Sequence, residues 1–451
     1  MQSLSSQQLS LSWTTTTTTV AFVATAYFAH WMMILRKKHR HQQQQQRIYL
    51  DYNATTPIDP RVYQAMIPFL TNEFGNPSST NHWAGHVPAA SIHNAREQVL
   101  QLLGLAVDND PTSAAATTTT PRSAVWFTAS GTEADNWAIA LALQNAPQVP
   151  PHIVTTNVEH PAIAHYLEHL QNLGRCRVTY VPVNAQGQVE AEQVIQAITK
   201  FTCLVTIQYA NNETGAVQPV VPIAKYCRQH DILFHTDAAQ AAGKVSMLFS
   251  DQEGPDMVTL VGHKMGAPKG VGCLYVRPGC LQQEVNLLWG GGQEYGRRGG
   301  TENVPYLVGF GTACALAAQE WQNRAVQMEA MRTLLLQLLT EGLGVDNVQA
   351  NGPTDPSLRL PNTLSVGIKN VQAGALLQAV GDRVAASAGA SCHTPQAHIS
   401  AVLQAMKVPT EFALGTIRLS VSHTTTKPEI EQAAAILIAA VQEQWAANKV
   451  V

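Results

Sequence analysis

The chain has 451 residues, 45% of them hydrophobic, and a formal net charge of −3. That length supports more than one core, and the near-neutral balance offers no basic surface of the kind that binds nucleic acid. Its seven cysteines (176, 203, 227, 273, 280, 314 and 392) are scattered without a C-x-x-C pair. This argues against a metal site and a disulfide framework and points to a reducing compartment.

Residues 1–46 stand apart because they contain no acid. Residues 11–35 are uncharged and 20–35 strongly apolar. Arg36-Lys-Lys-His-Arg-His41 and five glutamines follow. As a helix, residues 11–35 would be about 37 Å long, enough for a hydrocarbon core of ~30 Å; the apolar part alone would fall short, and Thr14 to Thr19 weakens the pattern. The expectation is a transmembrane anchor through residues 11–35 that keeps the catalytic body cytoplasmic, since the basic residues follow the apolar run. The alternatives are a cleaved mitochondrial or other organellar targeting segment, or a disordered tail. The glutamine run reads as a polar linker.

The body opens with a short strand at 47–51 that breaks into a polar turn. Residues 60–70 follow as a helix with Val62, Met66 and Leu70 on one face. A loop at 75–79 precedes a second amphipathic helix at 91–103. Residues 108–123, rich in Thr and Ala, read as a disordered insertion. Strands then alternate with helices: strands at 124–128, 153–156, 178–183, 204–209, 232–235 and 257–261, helices at 133–143, 189–199 and 222–230. A long helical stretch covers 305–343. Beyond it lie strands at 364–368 and 417–421, a small-residue loop at 387–394 and a closing helix at 427–444. The alternation predicts an α/β fold with a mostly parallel sheet covered by helices on both faces. Ligands of such sheets bind beyond the carboxyl ends of the strands.

Most polar clusters sit at those ends. The apolar run 257–261 ends at Gly262-His263-Lys264. Lysine is seldom fully buried unless paired or reacted, and one held at a core strand end supports a Schiff base with an aldehyde such as that of pyridoxal 5′-phosphate (PLP). A surface lysine just past a strand looks the same. Ser130-Gly131-Thr132 lies between a strand and a helix, where free N–H groups and the positive dipole end favour a phosphate; an ordinary helix cap looks the same. Asp237 ends a strand and suits a protonated pyridine nitrogen, and Gln240 could donate to the ring's phenolic oxygen. An Asp cap is the plainer reading. His160 suits stacking and proton transfer, although a lone histidine is more often structural. The glycine-rich stretch 290–301 carries Arg297 and Arg298 and reads as a binding loop for an anionic group. Cys392 is flanked by small residues and followed by His393, which fits a nucleophile or proton donor. Arg418 suits a substrate carboxylate.

Taken together, these residues resemble the class V aminotransferase-like PLP enzymes, and within them the cysteine desulfurases and selenocysteine lyases. The resemblance covers about residues 47–445. It rests on Tyr-Leu-Asp-Tyr-Asn-Ala-Thr-Thr-Pro (49–57), Gly-Asn-Pro-Ser-Ser (75–79), Ser-Gly-Thr-Glu (130–133), Glu-His (159–160), Ala-Asn-Asn-Glu-Thr-Gly (210–215), His-Thr-Asp-Ala-Ala-Gln (235–240), Gly-His-Lys (262–264), Gly-Gly-Gly-Gln-Glu (290–294), Gly-Thr-Glu-Asn (300–303) and Ala-Ser-Cys-His (390–393).

The resemblance implies a fold-type I PLP-dependent transferase. Its large domain would span 63–304, and its small domain would combine 47–62 with 305–451. It implies that Lys264 carries the cofactor, that His160 stacks on its ring and that Asp237 pairs with its nitrogen. Gln240 and Asn212 would contact the phenolic side, and Gly131, Thr132 and His263 would hold the phosphate. Thr301 would reach the phosphate of a partner subunit, which makes a homodimer. Arg418, Asn53 and Arg298 would bind substrate, and Cys392 would be the catalytic cysteine. The reaction implied is removal of selenium or sulfur from L-selenocysteine or L-cysteine to give L-alanine. The loop Gly-Ala-Ser-Cys-His looks closest to the selenocysteine lyases. The alternatives are a cysteine desulfurase that passes persulfide sulfur to an acceptor protein for iron–sulfur clusters or thiolation, and an inactive PLP-fold scaffold. Two departures stand out. Val261 replaces a serine that many members use for the phosphate, and Pro161 beside the stacking histidine is unusual.

Overall fold

The computed structural model describes residues 47–105, 121–147, 149–250, 253–388, 390–391 and 398–448. In chain order the elements are β1 (Ile48–Tyr49), α1 (Pro60–Thr71), α2 (His86–Leu102), β2 (Val125–Thr128), α3 (Gly131–Gln144), β3 (His152–Thr156), α4 (Pro161–Asn172), β4 (Arg177–Val181), α5 (Ala191–Ala197), β5 (Thr202–Thr206), α6 (Val220–Gln229), β6 (Leu233–Asp237), β7 (Met257–Val261) and β8 (Gly272–Val276). There follow α7 (Val304–Leu343), β9 (Val348–Asn351), β10 (Thr363–Ile368), α8 (Ala373–Val380), β11 (Val384–Ala385), β12 (Ser387–Ala388), β13 (Ala390–Ser391), β14 (His398–Ile399), α9 (Ala401–Ala405), α10 (Thr410–Ala413), β15 (Thr416–Ser420) and α11 (Lys427–Asn448).

The main sheet has seven strands in the order β2-β8-β7-β6-β5-β3-β4. From β7 through β4 every pairing is parallel, and β8 runs antiparallel between β7 and β2. Successive side chains serve opposite faces, as the pleat requires. Trp126 packs with Trp137, Ile153 and Leu204, whereas Phe127 packs with Val99, Leu260 and Phe310. Both faces are therefore covered, which explains why these strands read as continuous apolar runs rather than alternating ones.

A second sheet, β12-β15-β10-β9, is antiparallel throughout and packs with α11 and the far half of α7. α7 has 40 residues, so it is about 60 Å long. Its early residues Leu307, Phe310 and Cys314 join the core of the main sheet, and Leu335, Leu339 and Leu343 join the second core. β1 pairs with β11, which brings the chain's 50s back against the second sheet.

Several features depart from the sequence reading, β9 and α8 among them. α2 begins at His86 rather than at residue 91, because Pro88 falls in a first turn that needs no N–H partner. α4 and β8 were not expected. Pro161 opens α4 at the first helical position, where proline's fixed φ is favourable. The expected transmembrane character is overturned: no helix among the described residues is long and apolar enough to cross a membrane. Residues 1–46, where that expectation fell, lie outside the described residues, as do 108–120 of the low-complexity insertion.

Candidate active site

The carboxyl ends of β2, β3, β6 and β7 open into one cleft of about 620 Å³, together with the loop after β5 and a residue of β15. Asn53, Gly131, Thr132, Asp135, His160, Asn212, Asp237, Gln240, Val261, His263, Lys264, Lys269 and Arg418 all line it. Ten of the residues singled out in the sequence are thus brought together.

β7 delivers Lys264. The strand is fully buried and runs into a single 3-10 turn at Gly262–Lys264. A Cβ on Gly262 would meet Val271 Cγ1 at 2.8 Å, so only glycine lets the chain turn there against the β8 edge. Burial pushes the Lys264 ammonium below its usual pKa, while Asp237 opposes that effect. The amine is thereby brought closer to its neutral, nucleophilic form.

β2 and α3 deliver the anion cradle. Ser130 caps α3, its hydroxyl accepting from Glu133 N–H at 3.1 Å, and Glu133 accepts from Ala129 N–H at 2.8 Å. Such a cap is worth about 1 kcal/mol. It leaves the Gly131 and Thr132 end of the helix facing the cleft. Gly131 lies against Val261: a Cβ would stand 2.4 Å from Val261 Cγ2.

His160 caps α4, with Ala162 N–H donating to its Nδ1 at 3.2 Å. This leaves Nε2 as the protonated nitrogen of the neutral ring. Burial lowers its pKa, with Lys264 adding to the effect and Asp237 opposing it. Asp237 is 7% exposed and accepts from Ala239 N–H at 2.9 Å. Behind it, Asp135 is held well above the ordinary carboxyl pKa, first by burial and then by the Asp237 charge. Both effects favour the neutral carboxyl of Asp135. His263 donates to or accepts from Thr55 Oγ1 at 3.2 Å, and burial with the Lys264 charge brings its pKa down to about 4. Its neutral ring is a hydrogen-bonding group rather than a cation.

Arg418 comes from the second sheet. Its Nη2 pairs with Asp51 Oδ1 at 2.8 Å and donates to Ser387 Oγ at 3.0 Å, and Nη1 donates to Asn212 O at 3.1 Å. Its Nε is buried without a partner among the described residues.

Two expected residues lie beside the cleft rather than in it. Arg298 and the exposed Thr301 line a smaller neighbouring pocket that shares Ala129, Gly270 and Val271 with the cleft. Arg298 Nε is taken by Glu133 Oε1 at 2.9 Å. The glycine-rich loop is tied to β2 by Glu294, which pairs with Arg96 at 2.8 Å and accepts from Phe127 N–H at 2.9 Å. Cys392 lies outside the described residues.

Sequence reasoning missed Asp51, Asp135, Lys244 and Arg96. For Lys244 a signal existed, namely its spacing of four from Gln240.

The cleft fits PLP on its own chemistry. It has the volume of a small-molecule site, a helix start for an anion, an amine poised by burial, two neighbouring carboxyls of which burial raises one, and an arginine with a buried N–H that has no partner among the described residues.

A family model described as aminotransferase class-V matches residues 48–433. A protein from Trichormus azollae named cysteine desulfurase is 40% identical over 386 residues, 85% of this chain and 90% of the relative. A solved structure described as a NifS-like protein superposes with a TM-score of 0.77 at 32% identity, covering 88% of this chain and 99% of the other. Another, described as SspA in complex with cysteine, gives 0.65 at 31% identity over 84% of this chain and all of its own. With its residues 48–433 matched and this cleft at its centre, the chain belongs to the aminotransferase class-V family, which is a family of PLP-dependent enzymes.

Proposed function

We propose that the protein removes sulfur from L-cysteine, and selenium from L-selenocysteine, leaving L-alanine. The convergence of Lys264, Asp237, His160, Thr132 and Arg418 on one cleft carries this reading. Relatives named cysteine desulfurase and a neighbour described in complex with cysteine support it.

Bound PLP supplies an aldehyde that takes up an amine and a ring that accepts electron density from Cα. Gly131 and Thr132 at the start of α3, with His263, would hold its phosphate. Asp237 would face the ring nitrogen, His160 the ring face, and Gln240 and Asn212 the phenolic side. The neutral Lys264 amine, or His160, takes and returns the Cα proton. Arg418, with Asn53 nearby, orients the substrate carboxylate.

Cys392 is the proposed thiol. Burial raises the pKa of every one of the other six cysteines, with Cys203, Cys227 and Cys280 pushed up to about 12, which makes them poor thiolates. On the sulfur route Cys392 attacks the substrate sulfur. A new S–S bond forms as the Cβ–S bond breaks, and the electron pair stays with the carbon fragment that becomes alanine. On the selenium route selenium leaves at the elemental level, the Cβ–Se electron pair stays with the carbon fragment, and Cys392 gives that carbon a proton to complete alanine.

The test is alanine release from both substrates by wild type and Cys392→Ala. Loss on cysteine with survival on selenocysteine supports both routes as written. Full activity of Cys392→Ala on cysteine contradicts the role of the thiol. A second reading, in which the persulfide passes to an acceptor protein, is compatible with relatives named cysteine desulfurase and is read by transfer of labelled sulfur. We propose a homodimer as the working assembly. Phe74, Trp83 and Trp289 support it, being 77%, 78% and 83% exposed, since aromatic side chains so exposed are characteristic of interfaces.

A further inference from the structure

Lys244 has no part in the chemistry described above, and it is 6% exposed. A buried ammonium is costly unless its donors are used. The hydrogen bonds it donates go to uncharged amide oxygens: Gln240 Oε1 at 2.9 Å and Asn53 Oδ1 at 3.4 Å. Lys244 does not line the main cleft. It lines a separate, largely apolar cavity behind it, and Lys264 lines both. Lys244 therefore sits in the wall at the back of the site, with Gln240 and Asn53 on the cleft side.

An ammonium has three donors and no acceptor, whereas an amide offers an acceptor at one end and donors at the other. Against Lys244, Gln240 must present its oxygen. Its nitrogen is then turned away, donating to Asn53 O at 3.0 Å with its second N–H left for the cleft. Asn53 is fixed by the same logic. Its Oδ1 accepts from Lys244 and from Asn362 Nδ2 at 2.9 Å, so its Nδ2 donates to Asn212 O at 3.1 Å and Thr363 Oγ1 at 2.8 Å. One ammonium, together with the Asn53 and Asn212 backbone carbonyls, thus sets which end of two cleft-lining amides faces which way.

We infer that Lys244 is a positioning residue that acts through Gln240, holding that amide with its nitrogen toward the cleft so that it donates to the phenolic oxygen of the cofactor. The inference rests on the PLP reading of this cleft and names a residue to which that reading gave no role. The charged groups that bear on Lys244 are Lys264 and Arg418, both cationic, and Arg418 is itself paired with Asp51. Burial and these two charges bring the Lys244 pKa down to about 7. A methionine of similar length would avoid that cost but would leave Gln240 Oε1 without its donor, so that the Asn53 carbonyl alone would hold the amide's orientation.

The test is a double-mutant cycle of Lys244→Met and Gln240→Ala in the full chain with PLP. It reads the pH midpoint of the bound cofactor's visible band and the PLP dissociation constant. With Gln240 present, Lys244→Met is expected to raise the midpoint and weaken PLP binding about tenfold. With Gln240→Ala, the same substitution is expected to change neither. Shifts of equal size in both backgrounds would mean that the lysine acts only through its charge, and would overturn the inference; so would a Lys244→Met protein with the wild-type midpoint and affinity. If Lys244→Met does not fold, the cycle is run with Lys244→Gln, with the same expected and overturning results. A wild-type protein that takes up no PLP would overturn the cofactor reading itself, a failure distinct from additivity in the cycle.

Discussion

Arg418 Nη2 and Asp51 Oδ1 form an ion pair at 2.8 Å that ties β15 to the segment after β1. The pair joins two segments far apart in sequence and holds the guanidinium at the cleft. On the proposed reading Arg418 is thus positioned before any substrate arrives, which would reduce the ordering cost of binding. Replacing Arg418 by Ala is expected to lower kcat/KM for cysteine roughly 10²-fold, the scale of lost charged hydrogen bonds. Asp51→Ala is expected to raise KM about tenfold with a smaller effect on kcat, since it loosens a binding group without touching the reacting atoms. Steady-state kinetics of both variants separate the two effects.

The contact between Gly131 and Val261 predicts a pairwise result. A methyl at residue 131 would stand 2.4 Å from Val261 Cγ2. Gly131→Ala is expected to destabilise the protein by about 1–3 kcal/mol and to weaken PLP binding. Adding Val261→Ala should recover most of the stability, because it removes the atoms in conflict. Thermal unfolding of the two single variants and the double variant checks this.

Those two residues also show what the sequence made legible. The strand that ends at Val261 and the turn to Lys264 were readable from an apolar run closed by glycines. Val261 looked only like a lost phosphate ligand, because its contact with Gly131 depends on β7 meeting the start of α3. Pro161 was unusual against the family's pattern; as the first residue of α4, a helix capped by His160 that the sequence reading did not recognise, it is favourable. β8 was missed because a five-residue apolar run gives no direction, and its antiparallel place between β7 and β2 comes from long-range pairing. Asp135 was invisible because it sits in a helix as an ordinary polar residue, and only its burial in the fold, with the Asp237 charge beside it, makes it unusual.

Glu159 carries a pH signature. Burial raises its pKa to about 8, while Thr156 Oγ1 approaches its Oε1 at 2.6 Å and Gln208 N–H donates to its Oε2 at 2.9 Å. The folded pKa lies above the unfolded one, so the carboxyl's contribution is fully present below about pH 4.5 and is lost as pH rises toward about 8. Glu159→Gln places an amide in the same space, donating to Thr156 and accepting from Gln208. The stability of Glu159→Gln minus that of wild type is therefore expected to grow by on the order of 1 kcal/mol per pH unit across that window. Denaturant unfolding at several pH values measures it, and a difference independent of pH would contradict the neutral buried carboxyl.

The proposed homodimer is tested at Trp289, which is 83% exposed in one chain. Trp289→Glu is expected to shift sedimentation from dimer toward monomer, because a buried unpaired charge at an interface is costly. An unchanged dimer would place the interface elsewhere.

The central claim is that Lys264 holds PLP for removal of sulfur from cysteine. Its most direct test measures the visible absorption of the lysine-bound cofactor together with alanine released from L-cysteine, in wild type and Lys264→Ala. Wild type is expected to show the band and release alanine, and Lys264→Ala to lose the band and all turnover. A Lys264→Ala protein that keeps both the band and alanine release would contradict the account.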